Sequence, residues 1–330
     1  MILNKKSSIL LVLKILEEFS DEDHFLTQQE IIDKISSIYQ IDLERKSIAS
    51  SLNLLEDLGY DIVKGPKRGF ALFSRNFDST EATFLIDAVF SSKSISGRQA
   101  QKISENISKC FSKYQRQDYS YLYKSEEINR TDNRNVLYNV SIIQEAMKRK
   151  KRIGFQYSDY DEEGKIISRK GGKEYIVSPY FLVNNFGRYY LLANQSEKYN
   201  DVQQYKISRL LNINIKENIP IRKLENLGEK YKNFSITKYL NERVYLFGHD
   251  VITAKLEITN PNAISYIKEW FGPKTPIYKK GNKLYTEITS DEYALYYWVF
   301  QYMDSFKVIS PSSFVKKIKE GITRAVEKYR

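Results

Sequence analysis

The chain has 330 residues, of which 42% are hydrophobic and 28% charged, and it carries a formal net charge of +11. That length exceeds one ordinary core and suits two to four modules, while apolar runs that are short and broken by charges exclude a transmembrane helix. The single cysteine, Cys110, excludes an intrachain disulfide and fits a reducing cytoplasm.

The charge is unevenly spread. Residues 1–75 hold 10 Lys and Arg against 12 Asp and Glu, and residues 76–150 hold 12 against 9. Residues 151–250 hold 17 against 12, and residues 251–330 hold 13 against 8. The basic excess in the second half can attract phosphates or acidic partners, or simply keep the surface solvated.

At the N-terminus a basic stretch precedes an apolar one, but Glu17-Glu18 and the lack of a small-residue cleavage site argue against a signal peptide. The spacing of Ile9, Val12, Leu13 and Leu16 predicts a core helix over 7–19. A second helix starts at Thr27-Gln28-Gln29-Glu30, a capping-box pattern. A third spans about 44–58 and ends at Gly59, a residue suited to a left-handed cap. Its apolar stripe is Ile48, Leu52 and Leu55; Lys46, Ser50, Asn53 and Asp57 project from the opposite face, with Arg45 in the first turn. Two short strands, 60–63 and 70–73, flank the basic turn Lys64-Gly65-Pro66-Lys67-Arg68-Gly69. Three helices and such a hairpin make a winged helix-turn-helix, in which the third helix enters the major groove and the wing reaches a neighbouring backbone. Lys46, Ser50 and Asn53 would meet base edges, and Arg45, Lys67 and Arg68 would neutralise phosphates. The competing reading, a winged helix used only to dock protein, draws on the acidic balance of residues 1–75. The clustering of cations at the duplex-facing surface favours double-stranded DNA.

Residues 76–150 read as a helical connector. Helical stripes run through 80–90 and 100–111, with Cys110 a packed apolar residue because no His or metal-ligand spacing accompanies it. Residues 112–134 are polar and read as a loop, and a helix at 138–150 leads into a strand at 153–157. A charged turn follows at 159–165. Then come three aromatic-rich runs, 175–183, 188–194 and 202–210, separated by Asn-, Gly- and Asp-rich turns, which predict antiparallel strands of a small sheet or barrel.

The ordered set Pro179-x-x-Leu182, Gly187-Arg188-Tyr189-Tyr190-Leu191-Leu192-Ala193 and Tyr205-x-Ile207-x-Arg209-Leu210 resembles the WYL domain. Tyr189 stands where that family has its eponymous Trp, and Arg209-Leu210 stands for its closing Arg-Ile. The resemblance implies a small SH3/Sm-like β-barrel and, with the upstream winged helix, a ligand-sensing transcription regulator. It implies a negatively charged, nucleic-acid-derived effector at the WYL module. The residues support this separately: Arg188 and Arg209 offer bidentate geometry for phosphate. Tyr189, Tyr190, Tyr205 and Lys206 complete a candidate effector surface of aromatics beside cations. Tyr189 and Tyr190 point to opposite faces of their strand, as do Tyr205 and Lys206, so only one of each pair can face a given pocket. A structural ion pair is the rival role for Arg209.

Residues 221–250 read as a linker. From 251 the order strand, helix, two strands, helix, strand and final helix predicts a ferredoxin-like α+β unit. Asn260-Pro261 and Ser290 serve as helix starts, and the aromatic stretch 293–302 with Trp298 as core or dimer interface. This unit resembles the extension that often follows WYL domains and is associated with dimerisation. The expected fold class is thus multidomain α+β: winged helix-turn-helix 1–75, helical connector 76–150, WYL barrel 151–220, linker 221–250 and ferredoxin-like domain 251–330.

Only two histidines occur, His24 and His249, in unrelated contexts, and no phosphate loop, metal-ligand spacing or nucleophile elbow is present. The expectation is a cytoplasmic, homodimeric DNA-binding regulator with no catalytic residues, cofactor or metal. The alternative is a single-stranded nucleic-acid-binding accessory protein that uses the barrel, with the winged helix for protein docking.

Overall fold

A computed structural model describes residues 7–116, 135–195, 199–248 and 250–330. His249, the first six residues and most of the expected polar loop (117–134) lie outside the described residues. The chain divides into two compact units, Met1–Arg134 and Asn135–Arg330, a boundary that falls inside the 76–150 segment rather than at either of its ends.

In the first unit, helices α1 (Ser8–Phe19), α2 (Gln28–Tyr39) and α3 (Arg45–Asp57) pack around Leu16, Ile31, Ile35, Ile48 and Leu52. The capping box forms: the Thr27 hydroxyl accepts the Glu30 N–H, and the Glu30 carboxylate accepts the Thr27 N–H at 2.7 Å. These bonds favour the ionised carboxylate and hold the Glu30 pKa below its ordinary value. Strands β1 (Ile62–Lys64) and β2 (Phe70–Leu72) pair antiparallel, and Leu26 adds a bridge to Phe70. In the turn between them, Gly65 and Gly69 lie so close to the Phe25 side chain that a β-carbon at either would collide with it. Helices α4 (Ser79–Ser91) and α5 (Gly97–Ser108) each begin with a capping box and share a core of Ile86, Phe90, Ala100 and Phe111. Residues 112–116 then fasten to the end of α1 and to the segment that joins it to α2. Arg116 grips Glu18 with two bonds of 2.9 and 2.7 Å, and the Tyr114 ring stacks on His24 at 3.6 Å.

The second unit opens with α6 (Val136–Lys148), followed by β3 (Lys151–Tyr160), β4 (Ile166–Ser168), β5 (Glu174–Asn185), β6 (Arg188–Asn194), β7 (Gln203–Lys206) and β8 (Leu210–Pro220). The strands run β4-β3-β5-β6-β7, all antiparallel, and β8 returns to pair with β3. The third predicted run, 202–210, is therefore not one strand. It breaks into β7, a single 3-10 turn at Ile207–Arg209, and the start of β8. The cause lies partly in α6: buried Asn139 donates its side-chain amide to the Leu210 carbonyl at 3.1 Å and the Ile207 carbonyl at 3.5 Å.

One sheet face closes on α6 and on Phe155, Val177, Leu191 and Tyr205. The other face carries Val183, Tyr190 and Leu192, covered by Leu227, Tyr231, Tyr239 and Leu246. Residues 221–248 are thus a packed layer, with a short helix α7 (Ile236–Asn241), and not a bare linker. Burial on both faces explains the unbroken Leu191-Leu192-Ala193 run of β6, where a half-exposed strand would alternate.

The chain ends with β9 (Val251–Ile258), α8 (Ile264–Phe271), β10 (Ile277–Lys280), β11 (Lys283–Asp291), α9 (Glu292–Gln301), β12 (Phe306–Ser310) and α10 (Ser312–Glu327). Its antiparallel sheet has the order β10-β11-β9-β12, with Trp298, Ile267 and Phe314 in the core. The cap of α9 is Asp291, not Ser290. The Asp291 carboxylate accepts the Tyr293 and Ala294 N–H groups at 2.9 and 3.0 Å, because β11 runs on to Asp291 and leaves Ser290 within the sheet. The mixed helices and antiparallel sheets make the chain an α+β protein.

Candidate functional site

In the first unit, packing Ile48, Leu52 and Leu55 inward turns Arg45, Lys46, Ser50 and Asn53 into solvent, all exposed on α3. Lys67 and Arg68, also exposed, occupy the turn between β1 and β2, with φ of 54° and 59°. Two successive non-glycine residues in the left-handed region carry a backbone cost of about 1 kcal/mol or more each, held by the bonds Gly65 N–H to Gly69 O and Gly69 N–H to Pro66 O. None of Arg45, Lys46, Lys67 and Arg68 has an acidic partner within ion-pair distance among the described residues. Lys64, by contrast, reaches Glu56 at 3.6 Å.

In the second unit, the register Tyr190↔Lys206 puts those two side chains on one face, and the two-residue repeat of β6 puts Arg188 there as well. Arg209, in the 3-10 turn that follows β7, is near enough to act on both Tyr190 and Lys206. The four feel one another: Arg188 and Arg209 both act on the Tyr190 hydroxyl and on the Lys206 ammonium. Burial first, then Arg209 and Arg188, hold the Lys206 pKa below the ordinary lysine value. Neither Arg188 nor Lys206 has an acidic partner within ion-pair distance among the described residues. Arg209 does, reaching Asp159 at 3.6 Å with both side chains partly solvated, a pair of the weak surface kind. Its backbone is held by the Ser158 hydroxyl, which donates to the Arg209 carbonyl at 3.1 Å.

The aromatic residues of the expected effector surface fall differently. Tyr190 is only 7% exposed and packs in the layer under residues 221–248. Tyr205, also 7% exposed, belongs to an aromatic cluster with Phe155, Tyr157 and Tyr175, and burial drives its phenol pKa up. Tyr190 supports the site from beneath, while Tyr205 points to the other face of β7 and into the wall of the adjoining trough; neither offers the open ring face expected of an aromatic platform. The reason is the two-sided burial of β6 and β7. Tyr189, 37% exposed, lies on the face opposite Arg188, Tyr190 and Lys206. Of the six expected effector residues, the fold brings together Arg188, Lys206 and Arg209, with Tyr190 as their floor.

Beside this cluster a trough of about 630 Å³ follows the outer edge of β7. Arg209, Arg169 and Lys170 line it on the barrel side, and Lys230, Arg243 and Phe247 line it from the overlying layer. Two tyrosine hydroxyls satisfy the β7 edge: Tyr157 accepts the Lys206 N–H at 3.1 Å and Tyr231 accepts the Val202 N–H at 3.0 Å. Arg169, Lys170, Arg243 and Phe247 escaped the sequence reading. Arg169 and Lys170 lay in an unremarkable turn and Arg243 and Phe247 in a supposed linker; only the fold gathers them. Among the described residues, no three His, Cys, Asp or Glu side chains group as a metal site, and no helix is long and apolar enough to cross a membrane.

The family model of the WYL domain matches residues 138–215, a span from α6 into β8. Among solved structures, the chain is similar to proteasome accessory factor B/C (PafBC) of Arthrobacter aurescens, with 14% identity and a TM-score of 0.31 over 98% of this chain and 49% of that one. It therefore spans about half the length of that protein. It is also similar to a CRISPR Cas-related protein, with 15% identity and a TM-score of 0.42 over 98% of this chain and 84% of that one. No curated protein matches the chain.

Proposed function

We propose that this chain, a WYL-domain protein by its residues 138–215, is a DNA-binding transcription regulator whose affinity for duplex DNA is set by an anionic, nucleic-acid-derived effector. One observation carries the effector half of the reading: Arg188, Lys206 and Arg209 crowd together with, among the described residues, a single, loose carboxylate partner between them. Gathering like charges where Lys206 and Arg209 are partly buried costs free energy, which a bound phosphate would return. We read β3 and β5–β8 as the SH3/Sm-like barrel, supported by the return of β8 to β3 across a one-turn 3-10 connection.

The DNA half rests on α1–α3 and the β1–β2 hairpin, which we read as a winged helix-turn-helix. Its support is the exposed row Arg45, Lys46, Ser50 and Asn53, together with Lys67 and Arg68 in the hairpin turn. We take the C-terminal sheet, with its order β10-β11-β9-β12, as ferredoxin-like and as the contact of a cytoplasmic homodimer. Exposed Met303, Ile309 and Ile322 around a cavity of about 630 Å³ at the β12 edge support that role. Two linked half-site readers would compensate for the modest affinity of one. The protein binds and does not catalyse in this reading.

A gel-shift with the DNA upstream of the chain's own coding sequence tests it, with and without short single-stranded oligonucleotides. A shifted band whose midpoint moves when oligonucleotide is added is expected. An operator affinity that stays the same with the effector site saturated would rule out the switch.

A further inference from the structure

Arg243 lies outside the region matched as a WYL domain, in the layer that covers β6. Its guanidinium rests on the Tyr239 ring, 4.1 Å from the centroid, and lines both the trough along β7 and a smaller adjoining cavity of about 240 Å³. Its Nε is buried and has no hydrogen-bond partner among the described residues. A buried charged donor left without an acceptor costs on the order of 1–3 kcal/mol or more, so its persistence calls for a reason. The neighbouring acids do not supply one: Asp250 also lines the trough, and among the described residues no carboxylate lies within ion-pair distance of Arg243. The Glu242 carboxylate faces Lys238 at 3.8 Å, and Asp201 is taken by Lys230 at 2.5 Å.

The surroundings hold Arg243 in place. Tyr239 is fixed beneath it by a hydrogen bond from the Gln204 side-chain amide, and burial pushes the Tyr239 phenol up to about 12, so it stays a neutral ring under the cation. Gln204 in turn presses against Gly248, where φ is +80° and a β-carbon would strike the glutamine. One step along the chain, Phe247 packs against Tyr245, Tyr293 and Tyr297 yet stands 44% exposed at the same trough, far more open than Tyr190 or Tyr205.

We propose that Arg243 and Phe247 form a second subsite, in which Arg243 takes a phosphate and Phe247 stacks a base. The effector is then a single-stranded oligonucleotide with at least two phosphates, one at Arg188, Lys206 and Arg209 and a later one at Arg243. This deepens the effector reading above and rests on it. The trough volume is within the range of pockets that enclose small ligands of this size, and a cation beside an exposed ring is the arrangement by which single strands are held.

The test measures binding of fluorescent random-sequence single-stranded pentamer pools, one DNA and one RNA, and of thymidine monophosphate, to the full chain as a function of salt. Arg209→Gln is expected to weaken both ligand classes. Arg243→Gln should weaken the pentamers about tenfold and make the slope of log affinity against log salt shallower by about 0.7, one single-strand phosphate. It should leave thymidine monophosphate unchanged, and Phe247→Leu should weaken pentamers without altering the slope. Arg243→Lys, which keeps the charge, should retain the wild-type slope, and matching thermal melts show that each variant is folded. Pentamer affinity and slope unchanged in Arg243→Gln, while Arg209→Gln still loses binding, would overturn the second subsite and leave the effector reading standing. Wild-type protein that binds neither pentamer nor mononucleotide would overturn both.

Discussion

The two cationic surfaces of this protein are built on opposite principles. On α3 and the β1–β2 turn, Arg45, Lys46, Lys67 and Arg68 stand in solvent on long side chains, each costing the fold little. Around β6 and β7, Arg188, Lys206 and Arg209 lie near one another, and burial, followed by the two arginines, holds the Lys206 pKa down. Exposed charges of the first kind are screened beyond about 8–10 Å at physiological salt and suit a long, regular polyanion read at many points. A crowded group of the second kind, with Lys206 and Arg209 partly buried and Arg188 exposed, rewards an anion that sits in one place. The contrast suits duplex DNA for the first surface and a small effector for the second.

Four measurements can break or sharpen that contrast. The largest effect is expected from the double variant Lys67→Gln and Arg68→Gln, which should remove most duplex affinity and flatten its salt slope by about 1.8, two duplex phosphates. Effector binding should not change; an equal loss there would erase the distinction between the surfaces. Next, Asn139→Ala removes the side chain that helps hold the turn carrying Arg209. It takes the amide donor from the Leu210 and Ile207 carbonyls, the second of which keeps the Leu210 N–H, and should destabilise the fold by about 0.5–1.5 kcal/mol in a denaturant titration, with effector affinity falling alongside.

The third concerns pH. Because the folded-state pKa of Lys206 lies below its ordinary value, its charged form burdens the native state at neutral pH. That burden is relieved as pH rises through the depressed pKa toward the unfolded one, so this group makes stability increase with pH over that window. Effector affinity should move the opposite way, declining at a pH below the usual lysine range as the ammonium is lost. Lys206→Arg, charged throughout, should remove the decline, and an identical profile for both proteins would show that Lys206 is not the titrating group. The smallest effect is expected for Tyr157→Phe, which deprives the Lys206 N–H of its acceptor and should cost about 0.5–1.5 kcal/mol in thermal melts.

Local signals were legible where local physics dominates. The α2 capping box at Thr27 and Glu30, the α3 stripe and the strand at Arg188–Asn194 appear as the sequence reading placed them. The break within 202–210 was not legible, because an amide sixty-eight residues upstream, that of Asn139, takes part in setting it. The packed layer at 221–248 reads as linker in sequence because its anchors, Leu227, Tyr231, Tyr239 and Leu246, are spaced by irregular turns with no helical or strand period.

The sequence by itself determined the kinds of chemistry available: arginines and lysines suited to phosphate, a helix with a polar face, and the ordered motif of a WYL domain. Periodicity also determined that Tyr189 and Tyr190 must face opposite ways. Only the tertiary structure decided what each direction meant. β6 is covered on both faces, so Tyr190 became floor, and the turn at Ile207–Arg209 brought Arg209 to Arg188 and Lys206. Arg243 acquired a place in the trough because a distant segment folds over the sheet. Side-chain direction follows from the two-residue repeat of a strand, but what lies in that direction depends on parts of the chain that local spacing cannot see.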